Sequence, residues 1–168
     1  MPSEYAIAFD PERCVACHGC ALACTIWRNR PLGLSCRHVE TRWNLQNAMP
    51  RPVHFSLACM HCAEPRCVAA CPKGALVKEK DGRVIVQEER CISCRACQKA
   101  CPFGVPRFPD SGPMTKCDLC GGFIDEGHEA PPCVASCPTG ALSFLVLSPE
   151  EKQRREQALL DLLRSTER

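Results

Sequence analysis

Along this chain the apolar and polar positions change period several times, and each change marks a predicted element. Residues 4–9, Glu4-Tyr5-Ala6-Ile7-Ala8-Phe9, alternate as a short strand should. Asp10-Pro11-Glu12-Arg13 then turns the chain away. The run GCALACTIWR, from Gly19 to about Arg28, reads as a short helix. Residues 37–43 and 51–57 read as two extended segments joined by a polar turn, a hairpin-like insertion. Residues 77–80 and 83–86 flank Asp81-Gly82, a strong hairpin signal. Gly104, Pro106, Pro109, Gly112 and Pro113 predict a stiff, irregular crossover, and the Gly- and acid-rich residues between Cys120 and Cys133 predict a surface loop. The tail opens as a helix at Ser148: serine caps, Pro149 suits the first turn and Glu151 completes S-x-x-E. Its stripe of Ala158, Leu159, Leu160, Leu162 and Leu163 can pack on its own domain or dock on a partner.

Composition changes this picture. With 17 cysteines, 15 prolines and few aromatics in 168 residues, little remains for a conventional apolar core. Chains this rich in cysteine are held by covalent or metal staples. The cysteines are also ordered. Cys91, Cys94, Cys97 and Cys101-Pro102 read C-x2-C-x2-C-x3-C-P, the run of bacterial iron–sulfur ferredoxins. Cys14, Cys17, Cys20 and Cys24 repeat it without the proline, since Thr25 follows. Cys59, Cys62, Cys67 and Cys71-Pro72 repeat it with a middle gap of four, and Cys117, Cys120, Cys133 and Cys137-Pro138 with a gap of twelve. Only Cys36 is left over, and a free thiol is expected there. The turn Cys137-Pro138-Thr139-Gly140-Ala141-Leu142 echoes Cys71-Pro72-Lys73-Gly74-Ala75-Leu76, so the repeat is internal. An odd cysteine count, the i, i+3, i+6 spacing and an opening without a signal peptide argue against disulfides. Zinc knuckles would use two pairs and leave each third cysteine idle.

Soft, anionic thiolates suit iron–sulfur cubes, four to each. In two-cluster ferredoxins the fourth cysteine of one run ligates the other cluster. Applied here, that rule groups Cys59, Cys62, Cys67 with Cys101, and Cys91, Cys94, Cys97 with Cys71. The first and last quartets, paired by the same rule, group Cys14, Cys17, Cys20 with Cys137, and Cys117, Cys120, Cys133 with Cys24. Four [4Fe–4S] clusters are expected. The expected fold is α+β, with tandem ferredoxin-like halves, one inserted into the other. Residues 1–36 and 103–147 form the outer half, 37–58 the hairpin-like insertion, 59–102 the inner half and 148–168 a C-terminal helix.

The formal charge of +2 would fall to roughly −6 once sixteen thiolates and four oxidised cubes are counted, so no nucleic-acid footprint is expected. No apolar run approaches the roughly 20 residues needed to span a bilayer, so no direct membrane insertion is expected. Fully ligated cubes leave no open iron, and no catalytic group stands out. His18 and His61 adjoin the motifs, while His38, His54 and His128 are expected in loops. Lys116 and Arg95 are placed to raise nearby potentials.

Cys59-Met60-His61-Cys62-Ala63-Glu64-Pro65-Arg66-Cys67, Met114-Thr115-Lys116-Cys117-Asp118-Leu119-Cys120 and Pro132-Cys133-Val134-Ala135-Ser136-Cys137-Pro138 resemble the four-cluster electron-transfer subunits of the dimethyl sulfoxide reductase and polysulfide reductase group, over residues 4–147. The resemblance implies a subunit without its own catalytic site. It would wire a molybdenum or tungsten pterin catalytic subunit to a donor or acceptor, with a further redox or membrane-anchor subunit as another partner. It also implies an order of clusters, from that of Cys14, Cys17 and Cys20, nearest the catalytic subunit, through those of Cys117, Cys59 and Cys91. The alternative is a free-standing polyferredoxin. A cytoplasmic location is expected, or export folded on a partner that carries the signal.

Overall fold

The computed structural model describes residues 4–31, 33–45, 49–122 and 126–166. Parts of the expected outer half, hairpin turn, Cys120–Cys133 loop and C-terminal helix therefore lie outside the described residues. Among those described are three two-stranded antiparallel sheets. The outermost pair joins β1 (Glu4–Phe9) to β6 (Leu142–Leu147), with Glu4 opposite Leu147 and Phe9 opposite Leu142. Tyr5 stacks on Phe144 across the strands at 5.3 Å between ring centroids, as aromatic cross-strand pairs do. This pairing brings the first and last quartets to one end of the molecule. Helix α1 (Gly19–Trp27) packs there on the single turn α4 (Pro132–Ala135).

Strands β4 (Leu76–Lys78) and β5 (Val84–Val86) form the inner hairpin, beside the packed short helices α2 (Arg66–Ala69) and α3 (Ala96–Ala100). The strands are shorter than expected because Glu79 N–H bonds back to Arg83 O, closing a three-residue loop whose last position, Gly82, is left-handed at φ 82°. That is the form a three-residue hairpin takes. A Cβ on Gly82 would also lie 2.5 Å from the Glu4 Cβ, so this position needs glycine twice over.

Strands β2 (His38–Asn44) and β3 (Arg51–Leu57) form the third pair. His38 and His54 thus lie in strands rather than in loops, because both fall within the paired ladder. Burial rises along β3, and Phe55, Ser56 and Leu57 at its inner end are core residues. Helix α5 (Pro149–Arg164) carries both bonds of the capping box, Ser148 with Glu151. Its Leu159 and Leu163, four residues apart on one face, close over Phe55, Leu57, Phe103 and Val105. The leucine stripe therefore packs on its own domain. Among the described residues no helix is long and apolar enough to cross a membrane.

A buried ion-pair triad fastens α5 across the molecule. Glu4 Oε2 lies 3.0 Å from Lys152 Nζ, and Oε1 lies 2.6 Å from Lys78 Nζ. Lys152, only 2 % exposed, also donates to Gly82 O at 3.3 Å. Burial would push the Glu4 carboxyl up, but the two lysines outweigh it and hold it below the usual carboxylate range. Removing one partner of a buried pair strands the other charge, at a typical cost of about 3–5 kcal/mol. Because Lys78 remains, Lys152→Met is expected to lose about 3 kcal/mol, a drop of roughly 6–12 °C in melting temperature. An unchanged melting curve of the metal-loaded protein would show the triad to be idle.

Candidate metal centres

Each quartet folds the same way for a local reason. The residue two places after the first cysteine is left-handed in every run: Ala16, His61, Ser93 and Leu119. That kink bends the loop and can turn its amides inward, as in an anion-binding nest. His61 N–H and Leu119 N–H donate to Cys59 Sγ and Cys117 Sγ at 3.4 Å, and Met114 N–H to Cys91 Sγ at 3.4 Å. The gap of three between the third and fourth cysteines is an i, i+4 step, about one helical turn. Helix α1 thus carries Cys20 and Cys24 one turn apart. After Cys71, Cys101 and Cys137 the proline stops the helix, and Gly74, Gly104 and Gly140 turn back at φ 58°, 60° and 63°. Their N–H groups bond to the carbonyls of those cysteines at 3.1–3.2 Å. Cys24 lacks this turn. Thr25 instead bonds its hydroxyl to Ala21 O at 3.0 Å and the helix runs on.

The cavities sort the cysteines by threes and ones. One is lined by Cys14, Cys17, Cys20 and Cys137. A second is lined by Cys24, Cys117, Cys120 and Cys133, and another by Cys71, Cys91, Cys94 and Cys97. These three enclose about 320, 330 and 360 Å³, solvent-open space included. A wider one, about 640 Å³, is lined by Cys62, Cys67 and Cys101, with Cys59 as the further sulfur whose charge bears on Cys62 and Cys67. Three of the cavities bring three cysteines of one run together with the last of another, and the fourth brings two, Cys62 and Cys67, together with Cys101. Among the described residues no three His, Cys, Asp or Glu side chains close around a single ion, where sulfurs would sit about 2.3 Å from one centre. The cysteines ring a space instead. An all-thiol rim with amide donors on the sulfurs fits a cubic iron–sulfur group.

The electrostatics decide what loading must displace. Burial, followed by neighbouring sulfurs, pushes Cys67 up to about 11 and Cys120 to about 12. Cys117 is pushed up to about 11 by burial, although Arg37 pulls the other way. Without metal these thiols keep their protons at neutral pH, so loading releases protons. At Cys71 and Cys137 burial is outweighed by backbone N–H groups in and just after the Cys-Pro-x-Gly turns, joined at Cys137 by the Thr139 hydroxyl, and these hold both thiols below their usual range.

Several residues here left no signal in the spacing. Cys36 is not a remote thiol: it is buried in the second cavity beside Cys24, with Thr115 Oγ1 at 3.8 Å. Its hydrogen bond to Cys24 keeps the proton on Cys36 and favours thiolate on Cys24. Lys116 is buried and donates to Val84 O and, at 2.9 Å, to Cys117 O. Arg95 stacks over Phe108, 5.1 Å from the ring centroid. His61 is fully buried and accepts the Val84 N–H at 2.8 Å, and burial pushes it well below the usual range, so it stays neutral. Its work is to strap β5 to the loop.

Residues 51–147 match the family model of a 4Fe–4S dicluster domain, and residues 11–27 match that of a 4Fe–4S binding domain. The chain is 37 % identical to the probable anaerobic dimethyl sulfoxide reductase chain YnfG of Escherichia coli, covering 95 % of this chain and 80 % of that one. It is 36 % identical to the thiosulfate reductase electron transfer subunit PhsB of Salmonella typhi, covering 92 % and 82 %. The formate dehydrogenase iron–sulfur subunit of Wolinella succinogenes is also 36 % identical, with coverage of 84 % and 82 %. The active site complex BamBC of benzoyl coenzyme A reductase is a distant structural likeness, at a TM-score of 0.41 and 23 % identity over 97 % of this chain and 91 % of that one. The chain belongs to the 4Fe–4S dicluster family that includes the iron–sulfur electron-transfer chains of dimethyl sulfoxide reductase, thiosulfate reductase and formate dehydrogenase, and its cofactors are [4Fe–4S] clusters.

Proposed function

We propose that this chain is the electron-transfer subunit of a molybdenum or tungsten pterin oxidoreductase, holding four [4Fe–4S] clusters and no catalytic site of its own. The observation that carries this reading is the sorting of fifteen of the sixteen cysteines around four cavities, each crossing between two runs. The ligand sets are Cys14, Cys17, Cys20, Cys137; Cys24, Cys117, Cys120, Cys133; Cys59, Cys62, Cys67, Cys101; and Cys71, Cys91, Cys94, Cys97. Two ferredoxin-like halves hold them, residues 59–102 inserted within 1–36 and 103–147, and both the β1–β6 and the β4–β5 pairs support that division.

Bound clusters supply one-electron sites, and the chain spaces them, shields them and provides two ports. Cys17 and Cys94 are the exposed cysteines, in the first and the fourth sets. The sulfurs of the other two sets lie deeper, and Cys59 bears electrostatically on Cys117, which supports neighbouring second and third sites. Val15 lines the Cys17 cavity and is exposed, as are Leu22 and Ile26 on α1, the last 70 % exposed, and such apolar exposure suits a fixed partner better than a diffusing carrier. We assign that face to the catalytic subunit and the work to the cytoplasm, where thiols stay reduced.

Elemental analysis of the complex purified without oxygen tests the proposal. About sixteen irons per chain, four per cube, with stoichiometric molybdenum or tungsten is expected. The same iron in a lone small protein without either metal would make it a free polyferredoxin.

A further inference from the structure

Arg37 is a cation where the fold has little water to offer it. It is 4 % exposed and lies between the first two cavities. On one side its Nη1 donates to Ser56 O at 3.1 Å and to Ser56 Oγ at 3.0 Å. Ser56 Oγ in turn lies 3.2 Å from Cys20 Sγ, on the rim of the first cavity. On the other side Arg37 lines the second cavity with Cys24, Cys117 and Cys133. Its Nε–H is buried and has no acceptor among the described residues, although buried donors are nearly always paired. Among those residues no carboxylate forms an ion pair with it. Guanidinium does not give up its proton in proteins, so anionic sulfur must answer the charge.

We propose that Arg37 is a positioning residue for electron transfer: its buried guanidinium bridges the first two cavities, donates its free N–H to a cluster in the second, and raises the reduction potential of a cluster in each. A fixed positive charge makes adding an electron more favourable, most of all where water cannot screen it. Ser56 extends the bridge from the guanidinium to Cys20. This inference rests on the ligand sets proposed above.

The test is an EPR-monitored redox titration of the purified complex, with iron counted in each sample. The signals of the first two clusters are identified as those altered in Cys17→Ser and Cys120→Ser. In Arg37→Gln those two are expected to lose at least tenfold in the reduction equilibrium, about 59 mV for one electron, while the other two hold still. Arg37→Lys keeps the charge and is expected to recover most of the loss. Ser56→Ala, which leaves the cation in place, is expected to move the first cluster and spare the third and fourth. It decides the matter if Arg37→Gln does not fold. Equal shifts in all four clusters, or unchanged potentials at full iron content in any of these variants except Arg37→Lys, overturn the inference. Failure of the ligand sets would look different: Cys17→Ser would then alter more than one signal, or a signal shared with Cys120→Ser.

Discussion

Stripping the iron from this chain is expected to abolish its fold, not merely its redox activity. Of the nine buried residues in the largest core cluster, five are cysteines: Cys20, Cys24, Cys36, Cys117 and Cys133. The apolar remainder, Ile7, Ala58, Leu119 and Leu142, is too small to close the space those thiols surround. For comparison, one structural zinc site supplies about 10–16 kcal/mol of apparent folding free energy in a small peptide, whereas a whole domain is stable by only about 5–15 kcal/mol. Anaerobic treatment with an iron chelator and an oxidant should therefore erase the cooperative melting transition and the protease resistance together. An iron-free chain that melts at the same temperature would refute this reading.

Replacing Cys137 by serine is expected to damage the cluster site of Cys14, Cys17 and Cys20, more than a hundred residues away in the chain. The site of Cys117, Cys120 and Cys133, its own run, should be spared. Cys137 lines the first cavity because the β1–β6 pair and the packing of α1 on α4 fold the chain's two ends together. Loss of a direct ligand should exceed the roughly 10–100-fold penalty on metal affinity typical of second-shell changes. Iron content and the EPR spectrum read the outcome, with Cys133→Ser as the complementary variant that should strike the other site. If Cys137→Ser and Cys120→Ser altered the same signal, the crossed ligand sets would be wrong.

Much of this was legible before folding, wherever the cause was local. Strand β1, helix α1, the Asp81-Gly82 turn and the capping box at Ser148 each follow from a few adjacent residues. Where two local signals met, the structure chose between them by packing. Residues 37–58 read as a hairpin-like insertion, and the inner end of β3 places Phe55 and Leu57 in the core beneath α5. The leucines of α5, open to two readings, turn inward because β3 and the crossover at Phe103 and Val105 present an apolar floor.

By itself the sequence determined the chemistry. Four thiol runs, each opening with a step of three residues and closing with a step of four, specify iron–sulfur ligation whatever surrounds them, because ligand type and reach are local properties. Tertiary structure alone decided the surroundings. It set Cys36 against Cys24, Arg37 and Ser56 between two cavities, and Glu4 between Lys78 and Lys152. These contacts join residues up to 148 positions apart, and none has a signature in its own neighbourhood. Their partners are set by which surfaces remain to be buried once the cysteine-bearing turns have closed.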